Sequence, residues 1–341
     1  MTSSYLSRQL LLERAKLTPT EAIERLVGMQ SQLARPPYLG LWTRLAKFAP
    51  ADLTKLFFDK TIVRVVAMRG TLHTMTAADF LALRAALQPA LTAGMQTILR
   101  DKAKNLPLDA AIAFSRTRFP CTFEELRDAL EKQFAGTDVR ALAYAVRMTL
   151  PLVQVPDPDE PWAFPASAKF QAADTWLGAP LAEANPGELV RRYLRGYGPA
   201  TVRDAQVWTG LPNLAPVFQS LDLVATGKYY DVPDAPPVKA LKTPPPVRFI
   251  PAFDNLVLAH HDRTRIIDDA HRAKVTTKNL QVNPTFLVDG RVAGTWKLEG
   301  KTVTLAPFGK LSAANQAQLD AEGARVADFM EGTHSATKRP A

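Results

Sequence analysis

Residues 185–234, NPGELVRRYLRGYGPATVRDAQVWTGLPNLAPVFQSLDLVATGKYYDVPD, contain the clearest structural signal in the chain. Their apolar spacing and turn residues predict three helices, near 186–194, 201–208 and 214–221. Two short strands follow around a glycine turn within 223–232. Three helices and then a hairpin is the order of a winged helix, a variant of the helix-turn-helix fold.

The two preceding parts of the chain repeat this order more loosely. Within 107–175 we predict helices at 122–133 and 138–147, a strand from residue 150 and a proline-rich wing. In the N-terminal third we predict helices and strands at 4–15, 19–29, 51–59, 62–66 and 71–74. The sequence therefore predicts an α+β fold with three helical units in tandem.

Several predicted helices begin with a threonine that is followed three residues later by an acid. The threonine caps free N–H groups, and the acid is favoured in the first turn by the helix dipole. Glutamate suits the reciprocal capping box better than the shorter aspartate. The pairs are Thr18–Glu21, Thr76–Asp79, Thr122–Glu125 and Thr201–Asp204.

The C-terminal third has a different character. Residues 232–246 are proline-rich and predict a stiff connector. Strand patterns at 247–258 and 285–305, with hairpin turns at Asp289-Gly290 and Glu299-Gly300, predict a small β-rich domain. A helix from about 312 to 330 closes it, and we expect the residues after it to be disordered.

The composition favours a polyanionic partner. The chain of 341 residues has 42 Lys+Arg against 33 Asp+Glu, a net charge of +9. Nucleic acid is the first such partner to consider, although a basic surface also serves solubility. A single cysteine, Cys121 at a predicted helix start, excludes a disulfide framework and a cysteine zinc site. The sequence has neither a signal-peptide pattern nor a long apolar run, so we expect a cytoplasmic protein without membrane contact.

Gln30 and Gln32 are the most unusual candidates for chemistry. They follow a predicted helix whose end, before Pro36-Pro37, we place near residues 29–33. An extended or turning backbone there would put both amides on one side, where their carbonyls could orient a water. Neither amide is a strong base, so the substrate must already carry a good leaving group. The alternative is that both amides cap the helix end or face solvent.

The remaining candidates are basic residues and histidines. Arg263 and Arg265 would share one face of an extended segment and suit phosphates, or else pair with Asp254 or Asp262. His73 could bind a phosphate or base, or could simply be packed in its hairpin. Adjacent histidines at 260 and 261 point to opposite faces of a strand, which makes a metal site there improbable. Further cations near helix ends and wings fit an electrostatic track along DNA: Arg35, Arg44, Arg64, Arg69, Arg203 and Lys228.

Several stretches together resemble one known family, the AlkZ-like winged-helix DNA glycosylases. They keep their order along nearly the whole chain: VGMQSQ at 27–32, PYLGLWTR at 37–44, RGTLH at 69–73, GYGPAT at 196–201, IPAFDNLVL at 250–258 and VDGRVAGTW at 288–296. The resemblance implies three tandem winged helices and a C-terminal β-barrel-like domain in a C shape. The predicted units are 1–105, 106–184, 185–235 and 247–330, with a disordered tail at 331–341.

The resemblance also implies an activity. The family's catalytic motif is Gln, an apolar residue and Gln, which Gln30 and Gln32 match. Ser31 departs from the apolar middle position, and we expect it to change the packing behind the site. The implied substrate is an N7-alkylated purine in double-stranded DNA, or a crosslink through two such bases. We expect a monomeric, nucleoid-associated, monofunctional glycosylase that needs no cofactor or metal and has an open cleft.

Within this interpretation the hairpin with Arg69, Thr71 and His73 would touch the DNA backbone near the lesion. Two other functions are compatible with the same residues. One is a winged-helix transcriptional regulator without catalysis, in which Gln30 and Gln32 would be replaceable. The other is a hydrolase of a different nucleic-acid or nucleotide substrate.

Overall fold

The N-terminal region consists of short helices packed around a sheet. The computed structural model describes residues 2–236, 243–277 and 281–335. The helices of this region are α1 Thr2–Arg8, α2 Pro19–Arg25, α3 Pro36–Trp42, α4 Pro50–Phe58 and α5 Ala77–Leu99. The predicted helix at 4–15 ends early, at Arg8, and neither α3 nor the length of α5 was expected. Pro36 at the start of α3 supplies a preset φ and needs no hydrogen-bond partner for its nitrogen.

The first sheet combines strands from two predicted units. Its order is β1-β3-β2-β4-β5 and all of its neighbours are antiparallel. Its strands are β1 Met29–Gln30, β2 Ile62–Val66, β3 Leu72–Thr76, β4 Leu152–Gln154 and β5 Phe170–Ala172. Val65 of β2 pairs with Val153 of β4. The predicted units 1–105 and 106–184 therefore share one sheet.

The second unit contributes the helices around the far side of this sheet. They are α6 Leu108–Arg116, α7 Phe123–Gln133, α8 Val139–Thr149 and α9 Ala173–Leu177. The predicted positions of α7 and α8 are confirmed. Cys121 is buried and bridges to Phe170 at the edge of the sheet, so it is a structural residue.

Residues 185–234 fold in the predicted order. Helices α10 Pro186–Tyr197, α11 Val202–Thr209 and α12 Ala215–Ser220 precede the hairpin of β6 Val224–Thr226 and β7 Tyr229–Asp231. Thr201 caps α11, and Asp204 completes the capping box, although we expected glutamate to suit this role better. The Asp79 carboxylate, in contrast, does not complete a capping box with Thr76 and forms an ion pair with Arg192 at 2.6 Å.

The C-terminal region is an open sheet covered by a helix. The sheet order is β11-β10-β9-β8, formed by β8 Arg248–Ile250, β9 Thr285–Val288, β10 Arg291–Glu299 and β11 Thr302–Pro307. Helix α13 Arg272–Val275 lies in the long connection, and α14 Ala313–Ser335 packs Leu319, Val326 and Met330 against the sheet. The Asp289-Gly290 turn is confirmed, whereas the second turn lies one residue later, at Gly300-Lys301.

The predicted β-barrel is corrected by this arrangement, because the described strands do not close on themselves. The predicted strand 247–258 stops at Ile250, since Pro251 cannot donate to a sheet ladder. The chain then enters a 3-10 turn, Asn255–Val257, which the side chain of Asp254 caps. Residues 331–335, which we predicted to be part of a disordered tail, belong to helix α14. Residues 336–341, and 237–242 of the connector, lie outside the described residues.

The largest core lies where the two ends of the chain meet the third unit. Tyr5 of α1, Tyr193 and Tyr197 of α10, and Trp208 of α11 are fully buried there with Leu256. Within the described ranges, no helix has both the length and the apolar character that a bilayer span requires. This core holds the β2–β3 hairpin and the 254–257 turn against each other, and β1 joins the hairpin by pairing with β3.

Candidate active site

The chain turns sharply just before the two amides. Helix α2 ends at Arg25, and Val27 and Gly28 adopt left-handed φ angles of 52° and 86°. A Cβ atom on Gly28 would lie 2.8 Å from Met75 Cγ, so glycine is needed both for its φ and for the close approach. The helix ends earlier than predicted, and Gln30 lies on the extended strand β1, outside the helix.

Gln30 and Gln32 both have amide oxygens that are held by donors of the β2–β3 hairpin. Arg69 Nη2 donates to Gln30 Oε1 at 2.9 Å, and the Leu72 backbone N–H donates to Gln32 Oε1 at 2.9 Å. Because a donor faces each oxygen, the orientation of each amide is determined. Gln30 is 7% exposed and Gln32 is exposed. Among the described residues neither Nε2 has a hydrogen-bond partner, so both NH2 groups remain available as donors.

Arg69 connects three parts of the molecule. It stands at the tip of the hairpin, in the 3-10 turn Met68–Gly70, with a left-handed φ of 58°. Besides Gln30 it donates to the Trp208 carbonyl at 2.9 Å and to Asn255 Oδ1 at 2.8 Å. Burial lowers the pKa of Arg69 to about 10, so the group remains a cation at neutral pH. Arg69 therefore links Gln30 by hydrogen bonds to the third unit and to the 254–257 turn.

His73 faces Gln30 directly across the β1–β3 pair and is fully buried. Its Nδ1 lies 3.0 Å from the Thr71 carbonyl, which can only accept, so Nδ1 holds the proton. Burial, and secondarily the charge of Arg69, lowers the pKa of His73 to about 3. The imidazole is neutral near pH 7, and its buried Nε2 has no partner in the described part of the chain.

Arg64 lies under the bend between the two glutamines. Its guanidinium donates to the Ser31 carbonyl, the Ser31 hydroxyl and the Gln32 carbonyl at 2.8–3.1 Å, and to Gln154 Oε1 at 2.5 Å. The Ser31 hydroxyl in turn donates to the Leu33 carbonyl at 3.3 Å. Burial lowers the pKa of Arg64 to about 10. Ser31 is thus a hydrogen-bonding residue of the site and does more than change its packing.

The other basic residues that we predicted as DNA contacts differ in exposure. Arg44 is 1% exposed and forms a two-bond ion pair with Asp254, at 2.9 Å for each bond. Arg35 is partly exposed and lies over the Trp162 ring, 5.8 Å from its centroid. Thr71 is partly buried and donates its hydroxyl to the Met68 carbonyl. DNA would have to open the Arg44–Asp254 pair to reach its guanidinium.

Arg263 and Arg265 do not lie on an extended segment. They belong to a turn in which the Ile266 and Ile267 N–H groups donate to the Arg263 carbonyl. Arg263 is partly exposed and donates to the His260 carbonyl, whereas Arg265 is buried and donates to the Pro199 carbonyl. The predicted shared face of an extended segment is therefore corrected, and Asp254 is paired with Arg44.

A small recess lies beside Gln30. It is lined on its polar side by Gln9, Gln30, Arg44, Asp254 and Asn255, and by apolar residues elsewhere. Its free volume of about 10 Å³ is close to that of a single water. Asn255 and Gln154 were not among the predicted site residues. For Asn255 a signal existed, because the polar pair 254–255 interrupts an otherwise apolar run.

The fold of the third unit indicates the class of protein. Residues 186–231 have the three-helix and hairpin order of the winged helix–turn–helix proteins, a class built for contact with DNA. The comparisons with known proteins are more specific. A family model described as "DNA glycosylase AlkZ-like" matches residues 23–329. The chain therefore belongs to the AlkZ-like family of DNA glycosylases, hydrolases that act on N-glycosyl bonds, as its sequence resemblance indicated.

Two relatives come from Streptomyces sahachiroi. The chain is 23% identical over 350 residues to an interstrand DNA cross-link repair glycosylase, covering 94% of this chain and 93% of the relative. It also superposes on the structure of a DNA glycosylase AlkZ with a TM-score of 0.75 and 18% identity, covering 96% of each chain. At that identity the superposition shows a common fold.

Proposed function

We propose that the protein is a monofunctional DNA glycosylase that hydrolyses the N-glycosidic bond of N7-alkylated purines and unhooks interstrand crosslinks. In this proposal Gln30 and Gln32 position the attacking water. The observation that carries it is the fixed orientation of both amides, with Gln30 beside a water-sized recess. Among the described residues no carboxylate bonds to either glutamine, so the pair offers neutral groups only.

Neutral groups suffice for this class of lesion. Alkylation at N7 leaves a fixed positive charge on the purine, so the base departs without being protonated. The remaining requirements are an oriented water and stabilisation of an oxocarbenium-like sugar. An undamaged base would still need a general acid, which supplies the selectivity.

The hydrogen bonds leave each amide with capacity for such a role. An amide oxygen has two lone pairs, and one donor occupies each oxygen here. The second lone pair can accept from a water, which for Gln30 can lie in the recess. The NH2 group, oriented away from Arg69 or Leu72, can donate to a phosphate or a sugar oxygen. The interaction with Arg69 also holds Gln30 in place before substrate arrives.

We propose that the substrate is held in double-stranded DNA. Three tandem winged helices at 1–105, 106–184 and 185–235, arranged in a C shape with the C-terminal domain, would bind the duplex as a monomer. The charge of +9 supports this. Among the predicted cations, Arg35, Arg69 and Arg263 are partly exposed, and Arg203 and Lys228 are exposed, so these five are suited to phosphates. The buried members of the predicted set are Arg44, Arg64, His73 and Arg265.

The test measures base release by purified protein. One duplex contains 7-methylguanine, and a second contains a nitrogen-mustard crosslink between guanines. Alkali converts the abasic product into a strand break, and the break is quantified under single-turnover conditions. We expect Gln30→Ala and Gln32→Ala each to lower the rate by about a hundredfold, as for the loss of one preorganised polar group.

Gln206→Ala is the matched control. Gln206 Oε1 accepts from the Leu214 N–H at 3.1 Å, as Gln32 Oε1 accepts from Leu72, but Gln206 lies on α11. This variant should keep the wild-type rate. Sequence-selective binding of undamaged DNA without base release would instead indicate a regulator. Release that is unaffected by either substitution would refute the role of the glutamines.

A further inference from the structure

Arg64 is a buried cation without an acidic partner. The buried arginines Arg8 and Arg44 form ion pairs with Asp231 and Asp254. Arg64 is 4% exposed, and within the described ranges no carboxylate pairs with it. Its five hydrogen bonds end on four neutral oxygens. Burying a charge in this way is costly. Arg84 is also buried with neutral acceptors, so what distinguishes Arg64 is where its hydrogen bonds end.

The bonds of Arg64 converge on the backbone between the catalytic glutamines. The Ser31 carbonyl belongs to the peptide plane that precedes Gln32, and the Gln32 carbonyl belongs to the plane that follows it. Because a peptide unit is planar, holding both oxygens restricts the two dihedral angles of Gln32 and the direction of its side chain. The Ser31 N–H also donates to the Leu72 carbonyl at 2.7 Å, which holds the plane next to Gln30.

Residues 31–35 have no helix or strand of their own. Besides the bonds to Leu72 and the bond from the Ser31 hydroxyl to the Leu33 carbonyl, the guanidinium of Arg64 holds this bend. The guanidinium of Arg64 also donates to Gln154 of β4, a strand that the second unit contributes to the shared sheet. The Ser31 hydroxyl provides the fourth acceptor, which an apolar residue at this position would not offer.

We infer that Arg64 is a positioning residue, which acts with Ser31 and Gln154 to set the direction of Gln32 relative to Gln30. This replaces the phosphate contact that the sequence suggested for Arg64. The inference rests on the proposed role of the two glutamines. It assigns a purpose to Ser31, the residue at which this chain departs from the family motif.

The experiment separates positioning from DNA binding. Variants R64K and S31A are compared with wild type for the single-turnover rate at saturating protein and for the salt dependence of binding to 7-methylguanine duplex. Lysine keeps the charge but cannot bridge two carbonyls and a hydroxyl. R64K should lower the rate by about tenfold or more, the effect of losing one hydrogen bond to a charged group. The affinity for the 7-methylguanine duplex, and the slope of its dependence on salt concentration, should not change.

S31A keeps the backbone acceptors and loses only the hydroxyl, so its rate should fall by about threefold. Combined with R64K it should cost little more than R64K alone, because both act on one contact. Arg84→Lys is the matched control. Arg84 is also buried and lies on α5, and the bonds given for it go to Gln88 and the Met148 carbonyl, outside residues 30–33.

Each outcome bears on the inference. A wild-type rate in R64K overturns it. So does weaker binding with a salt slope reduced by about one and an unchanged saturated rate, which is the signature of a phosphate contact. Should R64K unfold, S31A decides, because it preserves the buried charge and its other partners. If Gln30→Ala and Gln32→Ala keep the wild-type rate, the proposed function fails independently of these variants.

Discussion

Removing the carboxylate of Asp254 should destabilise the protein far more than removing a similar carboxylate at the surface. Arg44 and Asp254 form two hydrogen bonds of 2.9 Å, and their side chains are 1% and 5% exposed. In Asp254→Ala the guanidinium keeps only the Gln9 and Gly40 carbonyls as acceptors. Its charge is then buried without compensation.

The magnitude follows from this geometry. Breaking a buried pair by removing one partner costs about 3–5 kcal/mol of unfolding free energy. Asp254 Oδ1 also accepts from the Leu256 N–H at 2.9 Å, and losing that cap adds about 1 kcal/mol. A typical domain is stable by only about 5–15 kcal/mol, so Asp254→Ala should lower the urea midpoint markedly.

The control is Asp174→Ala. Asp174 also makes two bonds to one arginine, Arg116, but the side chains are 45% and 42% exposed. An exposed pair contributes about 0–1 kcal/mol. The assay is equilibrium urea unfolding followed by tryptophan fluorescence and far-UV circular dichroism. Equal losses in the two variants would refute the reasoning. A double change, Arg44→Met with Asp254→Leu, should recover much of the lost stability.

Three further predictions concern stability and reactivity. The pKa of His73 is lowered to about 3 in the folded protein, so at pH 5 the imidazole is protonated only in the unfolded chain. The contribution of His73 to the free energy of unfolding is therefore full above about pH 6.5 and falls by about 2 kcal/mol between pH 7.5 and 5. Burial also lowers the pKa of His260 to about 3, so urea titrations at both values should show an equal second fall, and His73→Gln should remove about half of the total. Burial raises the pKa of Cys121 to about 11, so iodoacetamide at neutral pH should label it only after unfolding; rapid labelling of the native protein would contradict this. Gly28→Ala should lower the free energy of unfolding by about 1–3 kcal/mol, whereas Gly94→Ala, in open space on α5, should raise it by about 0.5–1 kcal/mol. Thermal melts in which the two variants shift in the same direction would exclude the steric explanation.

Local signals account for the parts of the fold that the sequence predicted. Threonine caps, turn glycines and short apolar periods act over a few residues, and they located α2, α7, α10 and α11 well. Helix α5 was recognised only at its cap. It contributes Phe80, Leu83 and Leu87 to one core and Leu91 to another, so its apolar residues do not form a single stripe.

Long-range pairings account for most of what was missed. The Val65–Val153 contact joins strands 88 residues apart, and no local pattern specifies it. The same holds at the candidate site. The position of Gln30 and Gln32 outside the helix followed from Pro36-Pro37. Their donors, Arg69 and the Leu72 N–H, come from a hairpin some 40 residues away, and Asn255 from far beyond it.

The sheet shared by the first two units has a practical consequence. Strand β2 is bonded to β3 on one side and to β4 on the other. A fragment that ends near residue 105 would keep the glutamines but leave the edge of β2 that faces β4 unpaired. Unpaired strand edges tend to pair with other chains and cause aggregation. The fragment would also lack Gln154, the anchor of Arg64. Fragment expression, domain swapping between relatives and circular permutation should therefore keep residues 1–172 in one piece.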